Sequence, residues 1–260
     1  LLIATPVFGQ TVPPPIEVVD PMIGTGGEGH TFPGATAPFG MVQLSPDTDT
    51  TCEIRACYGH AAGYRYEDLT IQGFSHTHFS GAGHSDLGDI LVMPQSGPDF
   101  MLEPGDPTRP GSGYRSRFDH REEKAHPGYY AVTLSDSGIR AELTAGSRVG
   151  VHRYTFPAGK AAHLLIDLRT SLYNYPGKIL WSGLHLRPDG TVTGFRETRG
   201  WAPGRKLFFA MRFSRPLKDH AFVDRDPAVT YKGFQGPGRG SDAVSEKLGR
   251  ALEARLDFGM

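Results

Sequence analysis

The sequence predicts an all-β fold, a large antiparallel β-sandwich, from three observations. Apolar and polar residues alternate with a period of two in several segments, as in Ile139–Thr144, which is typical of half-buried strands. The chain has 34 Gly and 21 Pro among 260 residues, which favours many turns over long helices. Turn sequences separate the strand-like segments, with neither an internal repeat nor a β-α-β rhythm.

Two hairpins are predicted from turns that join strand-like segments. Tyr129–Leu134 is followed by Asp136-Ser137-Gly138 and then by the alternating segment at Ile139. Ile179–Leu186 is expected to pair with Val192–Glu197 across Pro188-Asp189-Gly190. Further strands are predicted at Val149–Phe156, His163–Leu168 and Leu207–Phe213.

The C-terminal segment fits two patterns. Val244, Leu248, Leu252 and Leu256 have a helical spacing, whereas alternation from about Ala251 indicates a strand. We favour a final strand. Such a strand, ending at Met260, would lack its partner, so we expect the domain to be cut and to miss its last strand or strands.

The first residues indicate export. Residues 1–9 are interpreted as the remnant of a signal peptide, because Leu1–Ala4 is apolar and the small residues Val7 and Gly9 precede a cleavage point before Gln10. Residues 10–15 form a Pro-rich lead-in, and residues 16–260 form the sandwich. The protein is therefore expected to be periplasmic or secreted. No apolar stretch reaches about 18 residues, so no membrane span is predicted.

Charge and cysteine content exclude some classes of function. Lys and Arg number 27 and Asp and Glu 28, so the formal net charge of −1 does not fit a nucleic-acid-binding protein. Two cysteines, Cys52 and Cys57, are too few for a four-ligand zinc site. A disulfide between them and two free thiols both remain open.

The loop Gly24-Thr25-Gly26-Gly27-Glu28-Gly29-His30 is the first candidate for a site. A phosphate-binding loop needs a following helix and usually a Lys, but here Thr31-Phe32-Pro33-Gly34 follows. The glycines are instead expected to permit a close approach of the backbone to a ligand or a neighbouring segment. His30 could then donate to a ligand hydroxyl, or be an ordinary loop histidine.

The segment Gly63–Pro94 is denser in chemically active side chains. His76 and His78, if on a strand, would point to one face and could chelate a metal, but no third ligand has the expected spacing. Contacts to sugar hydroxyls, or hydrogen bonds that organise the loop, are favoured instead. Asp86 and Asp89 could act as a glycosidase pair, bind Ca²⁺ or cap strands, and capping is favoured.

Several aromatic residues lie in Gly- and Ser-rich surroundings, as do residues that pack against the C–H faces of sugars. Aromatic residues at the rim of a core have the same pattern. The residues concerned are Tyr58, Tyr64, Tyr66, Phe79 and Trp201.

Three motifs together resemble glycoside hydrolase family 92, the calcium-dependent exo-α-mannosidases. They are VDPMIGTGGEGHTFPGATAPFGMVQLSPDT, GYRYEDLTIQGFSHTHFSGAGHSDLGDILVMP, and the segment around RGWA and KLFFAMRFSRP. The resemblance covers roughly residues 17–258. It implies a galactose-mutarotase-like supersandwich followed by a helical linker and an (α/α)6-barrel domain, with the active site where the two domains meet. It also implies hydrolysis with inversion by a Glu acid and an Asp base, with Ca²⁺ assisting.

The family's catalytic carboxylates and most of its calcium ligands belong to the barrel domain, which lies outside this sequence. The resemblance therefore implies no catalytic residue and no metal ligand here, and the chain alone is expected to be inactive. The sequence TTCEIRACYGHAAGY also lacks the Trp that often lines the family's mannose pocket. The candidates for sugar contact are His30, Phe32, His76, His78, Ser80 and Asp86, together with Tyr58 and Trp201.

We therefore expect the N-terminal substrate-shaping domain of an exo-acting α-mannosidase that trims glycans such as N-glycans. Its partners would be a mannose-containing glycan and the barrel domain of the same polypeptide. The first alternative is a stand-alone carbohydrate-binding β-sandwich. The second is a cupin-like metal enzyme that uses His76 and His78.

Overall fold

The computed structural model describes residues 13–50, 57–81, 87–226 and 245–260. Strands dominate these ranges, with one short α-helix and two 3-10 helices, at Cys57–His60 and His120–Glu122. The other elements are α1 Pro15–Val18, β1 Ala35–Thr36, β2 Gln43–Asp47, β3 Thr70–Ile71, β4 Gly73–Ser75, β5 Leu91–Ser96, β6 Ser116–Arg117, β7 Lys124–His126, β8 Tyr129–Leu134, β9 Ile139–Ala145, β10 Gly150–Thr155, β11 Ala162–Asp167, β12 Ile179–Leu186, β13 Val192–Thr198, β14 Arg205–Met211, β15 Asp219–Asp224, β16 Glu246–Gly249 and β17 Leu252–Gly259. No helix in the described ranges is long and apolar enough to cross a membrane.

The strands form three main sheets, and the pairings are antiparallel. The large sheet has seven strands in the order β1-β2-β4-β5-β11-β17-β15. A second sheet has the order β10-β9-β8-β7, a third has the order β14-β13-β12-β16, and β3 pairs with β6. Strand β9 lies against β1, β2 and β5, so the second sheet covers one end of the large sheet. This is the predicted antiparallel sandwich.

Both sheets contribute side chains to one core. Leu44 and Phe74 from the large sheet are fully buried with Ala141 and Leu143 from β9. Along β9, buried and partly exposed residues alternate, as the sequence predicted for a half-buried strand. Burial of such apolar side chains is the main stabilising contribution to the sandwich.

The predicted hairpins are confirmed by the strand registers. Leu134 pairs with Ile139 across the first turn, and Leu186 pairs with Val192 across the second. The final strand is confirmed as β17, but the expectation that it would lack a partner is wrong. It lies between β11 and β15 and pairs with both.

One buried carboxylate in the large sheet is unusual. Glu253 on β17 lies opposite Asp167 on β11, and both side chains are fully buried. Arg169 Nη2 lies 2.6 Å from Glu253 Oε1. Burial, and next the charge of Asp167, raise the pKa of Glu253 to about 8, although Arg169 opposes this shift. The charged form of Glu253 is therefore disfavoured in the folded chain.

The free energy of unfolding of the wild type is expected to fall as the pH rises, and replacing Glu253 by Gln is expected to abolish this fall. The pKa of Glu253 is raised on folding from 4.5 to about 8, so wild-type stability falls as the pH rises through this interval. Between pH 5 and pH 7 we expect a fall of roughly 2 kcal/mol that the variant lacks. Urea unfolding at both pH values measures this difference. Parallel pH dependences of the two proteins would contradict it.

Candidate functional site

The loop from Gly24 to His30 closes on itself. A Cβ added at Gly29 would overlap the carbonyl of Gly24, so only glycine permits this approach of two backbone segments. The amide of Tyr66 donates to the carbonyl of Thr25 at 2.9 Å, which fixes the loop to the segment around Tyr66. The predicted close approach of the backbone is confirmed at Gly29, and its partner is Gly24 of the same loop.

His30 ends this loop with a positive φ of 50° and is 6% exposed. Its Nε2 lies 3.3 Å from Glu28 Oε2, whereas its buried Nδ1 has no hydrogen-bond partner among the residues that the structure describes. The ring contacts Tyr58 edge-on at a centroid distance of 4.6 Å, and the His30 carbonyl accepts from the amide of Gly81 at 2.7 Å. An unsatisfied buried nitrogen is costly, so this atom is suited to gain a partner when a ligand binds.

His78 forms a fully buried pair with Asp47. Its Nδ1 donates to the carbonyl of Gln43 at 2.8 Å, and its Nε2 lies 2.9 Å from Asp47 Oδ1. Phe32 packs on the His78 ring at a centroid distance of 5.2 Å. Because both ring nitrogens are engaged within the chain, this geometry favours loop organisation by His78 over sugar contact, and Phe32 is the half-buried residue it supports.

His76 takes a different direction. Strand β4 ends at Ser75, so the expectation that His76 and His78 share one face of a strand is wrong. His76 Nδ1 donates to the carbonyl of Ile90 at 2.7 Å, and its Nε2 lies 3.0 Å from Nε2 of His152 on β10. The two histidines of the motif therefore have separate partners.

Asp89 fixes Thr77, the residue between His76 and His78. It is fully buried, and its carboxylate accepts from the Thr77 hydroxyl at 2.7 Å. Arg196 and Arg205 approach the carboxylate to 2.5 Å and 2.9 Å. Burial would raise the pKa of Asp89, but the two guanidinium groups outweigh it and hold that pKa below its usual value. Asp89 is thus an ionised structural anchor; Asp86 lies outside the described residues.

Sequence reasoning missed the two arginines. Arg196 lies on β13, where its fully buried side chain also donates to the carbonyls of Gly88 and Thr170. A charged residue at an inward position of a strand was the available signal, because such a residue needs a buried partner. The partner itself could not be read from the spacing, since Asp89 precedes Arg196 by 107 residues.

The remaining candidates differ in exposure. Ser80 is exposed beside Gly81, Tyr58 is 45% exposed, and Trp201 is 75% exposed in the connection between β13 and β14. Of these three residues, Tyr58 contacts the His30 ring. Tyr64 is buried and donates to Glu123 at 3.0 Å, so it belongs to the core.

Whether Cys52 and Cys57 form a disulfide or remain free thiols lies outside the residues that the structure describes.

We tested whether the described residues could hold calcium. In the described ranges, no group of three or more His, Cys, Asp or Glu side chains is arranged to hold a metal ion. The buried carboxylates of Asp47 and Asp89 are engaged by His78 and by two arginines. We therefore assign no described residue to calcium.

The candidate site is a surface. A cavity of about 420 Å³ lies elsewhere, and none of the predicted sugar-contact residues lines it. Its lining residues are Arg169, Asn174, Tyr175, Pro176, Gly177, Ile179, Asp226, Arg250 and Ala251. The predicted residues that come together thus form one wall, around His30 and Tyr58 on one side and Phe32 with its His78 support on the other.

Known proteins share this fold and sequence. A family-92 α-mannosidase from Bacteroides thetaiotaomicron, solved with mannoimidazole, is 40% identical, with a TM-score of 0.82 over 94% of this chain and 30% of its own. A second family-92 enzyme from that organism, described as an inverting mannosidase, has a TM-score of 0.67 at 23% identity, over 94% of this chain and 29% of its own, and shows the fold alone.

A curated relative extends the comparison to fungi. A protein of Arthroderma benhamiae named "uncharacterized secreted glycosidase" is 30% identical over 252 residues, which are 92% of this chain and 30% of the relative. The chain thus spans about a third of the length of its relatives. The family model described as "Glycosyl hydrolase family 92 N-terminal domain" matches residues 18–259. Since this match takes in nearly the whole chain, the chain belongs to glycosyl hydrolase family 92, as an N-terminal domain.

Proposed function

We propose that the chain is the substrate-shaping N-terminal domain of an exported, exo-acting, inverting α-mannosidase that removes mannose from glycans such as N-glycans. One relative named as an α-mannosidase and one named as a secreted glycosidase support this proposal. Because the chain spans about a third of these relatives, the activity is proposed for the complete protein, with the barrel domain of the same polypeptide as partner.

The observation that carries the proposal is the unpartnered Nδ1 of His30. This nitrogen is buried next to the half-exposed ring of Tyr58 and one backbone hydrogen bond away from the segment of Phe79 and Ser80. Sugar recognition uses this combination, because hydroxyls need polar partners while the C–H face packs on aromatic rings. His30 would satisfy its nitrogen by bonding to a sugar hydroxyl.

The same wall is unsuited to acid–base chemistry by itself. Inverting hydrolysis needs two carboxyl groups roughly 6.5–9.5 Å apart, one of them protonated as the acid. Of the carboxylates described here, Asp89 is held ionised by Arg196 and Arg205, and Asp47 is engaged by His78. In line with the family resemblance, we propose that the acid, the base and the main calcium ligands lie in the barrel domain.

Replacing His30 by Ala in the complete protein is expected to lower kcat/KM for an α-mannoside. Loss of one hydrogen bond to a bound sugar predicts a decrease of roughly 10- to 100-fold. Steady-state kinetics measure the change, and thermal unfolding separates it from misfolding. His163→Ala is the matched control, because His163 is 7% exposed, is also without a hydrogen bond at Nδ1, and lies on β11.

Equal decreases in the two variants would contradict a sugar contact at His30. A complete protein that binds mannosides without hydrolysing them would favour the alternative, a carbohydrate-binding sandwich. Hydrolysis of the α-mannoside, impaired by His30→Ala alone, is the result that we expect.

A further inference from the structure

Two histidines meet between the sheets of the sandwich. His76 follows β4 in the large sheet, and His152 lies on β10 at the edge of the second sheet. Their Nε2 atoms are 3.0 Å apart and their ring centroids 4.9 Å apart. A hydrogen bond between two such nitrogens requires a hydrogen on one and a free lone pair on the other. The link between the sheets therefore depends on the protonation of these rings.

The neighbouring groups fix the direction of this bond. His76 Nδ1 faces the carbonyl of Ile90 at 2.7 Å, so it carries the hydrogen, and the neutral ring accepts at Nε2. His152 then donates from its Nε2 and accepts the Tyr154 hydroxyl at Nδ1, at 2.7 Å. With both rings neutral, every polar atom of the two imidazoles has a partner.

We propose that the His76–His152 pair is a proton-operated latch, which ties the start of segment 76–81 to the second sheet when neutral and breaks this tie in acid. A proton bound at His76 Nε2 removes the lone pair that accepts the bond and places two N–H groups head to head. Segment 76–81 carries Phe79 and Ser80 and donates from Gly81 to the carbonyl of His30. The existence of the latch does not depend on the proposed function. Its effect does: the latch would make the wall around His30, Tyr58 and Phe32 sensitive to pH.

Nearby charges offset only part of the cost of a proton on His76. The groups that face His76 are His78, Asp47 and Asp89, and the two carboxylates are already engaged, Asp47 by His78 and Asp89 by Arg196. His152 faces His76 and the neutral Tyr154 hydroxyl. Burial lowers the pKa of His76, and burial together with His76 lowers that of His152 further.

Both histidines are half-buried, and His76 is closely packed on the side of β10. A Cβ added at Gly150, the first residue of β10, would lie 3.1 Å from His76 Cδ2 and 3.2 Å from the side chain of Leu44. The backbone of His76 is also held, since its amide donates to the backbone carbonyl of Asp89 and its carbonyl accepts from the amide of Gln43. A proton on the pair is therefore accommodated by opening of the contact.

The pH dependence has a definite sign. Both rings have lowered pKa values in the closed state, so stability of the contact is complete above about pH 6.5 and is lost as the pH falls below it. For each histidine that stays neutral when closed and titrates normally when open, the opening equilibrium rises about 25-fold between pH 7 and pH 5.

Hydrogen–deuterium exchange of the complete protein tests the latch. Peptides covering residues 76–81 and 150–155 are compared at pH 7 and pH 5, after division by the intrinsic chemical rate at each pH. We expect wild type to open more at pH 5, by about 25-fold for each histidine of the pair that stays neutral when closed, and by roughly 600-fold when both do. His152→Gln, which keeps an N–H donor but does not titrate, should reduce this pH dependence. The exposed His126→Gln control should match wild type.

A second measurement needs no variant. Exchange of the imidazole C2 hydrogens reports ring protonation, and both rings should become protonated only at a lower pH than an exposed histidine does. Titration of both rings near pH 6.5, or protection of both peptides that does not change with pH, would overturn the latch. These exchange measurements need no sugar. A negative result would therefore not affect the kinetic test of His30→Ala, and a negative kinetic result would not affect the latch.

Discussion

Replacing Asp89 by Asn is expected to lower the free energy of unfolding by about 3–5 kcal/mol. The variant removes the negative charge that faces Arg196, whose side chain is fully buried. A buried guanidinium without its counter-charge keeps its desolvation cost but loses the compensating attraction. The Thr77 hydroxyl also loses its charged acceptor, so the segment that carries both histidines of the motif becomes less fixed.

Urea unfolding measures this loss, and Asp219→Asn is the matched control. Asp219 pairs with Arg255 at 2.8 Å, but both side chains are at least 40% exposed. An exposed pair contributes about 0–1 kcal/mol, so the control should cost little. If the two variants lost similar stability, Asp89 would not be the anchor that we describe.

The fold was accessible from the sequence because its signals are local. Alternation in Ile139–Thr144 and the turn at Asp136-Ser137-Gly138 each depend on neighbouring residues, and both correspond to the β8–β9 hairpin. The error at β17 has a different origin. Its partners β11 and β15 are distant in sequence, so no local pattern shows whether both of its edges are paired.

The site was less accessible because burial and pairing are tertiary properties. His76, His78 and Asp89 were recognised as residues that could do chemistry, but their roles depend on His152, Asp47 and Arg196. Sequence spacing predicted one shared face for the two histidines, whereas the end of β4 at Ser75 separates them. The glycine loop was interpreted better, because the constraint lies between Gly24 and Gly29 themselves.

Replacing Gly63 by Ala is expected to lower the free energy of unfolding by about 3 kcal/mol or more. Gly63 has a φ of 85°, which L side chains rarely adopt. A Cβ there would overlap Asp47 Oδ1 and lie 3.0 Å from His78 Cδ2 and Nε2. These atoms belong to a fully buried pair that has no space to move away, so the overlap adds to the conformational cost.

Gly177→Ala separates the two contributions. Gly177 has a φ of 81°, but a Cβ there meets no atom within 4 Å, so its substitution should cost only about 1–2 kcal/mol. The difference between the variants in urea unfolding is the cost of displacing the Asp47–His78 pair. Equal losses would mean that this pair can shift freely. A larger loss at Gly63 should be accompanied in the complete protein by a decrease in kcat/KM, because Phe32 packs on the ring that moves.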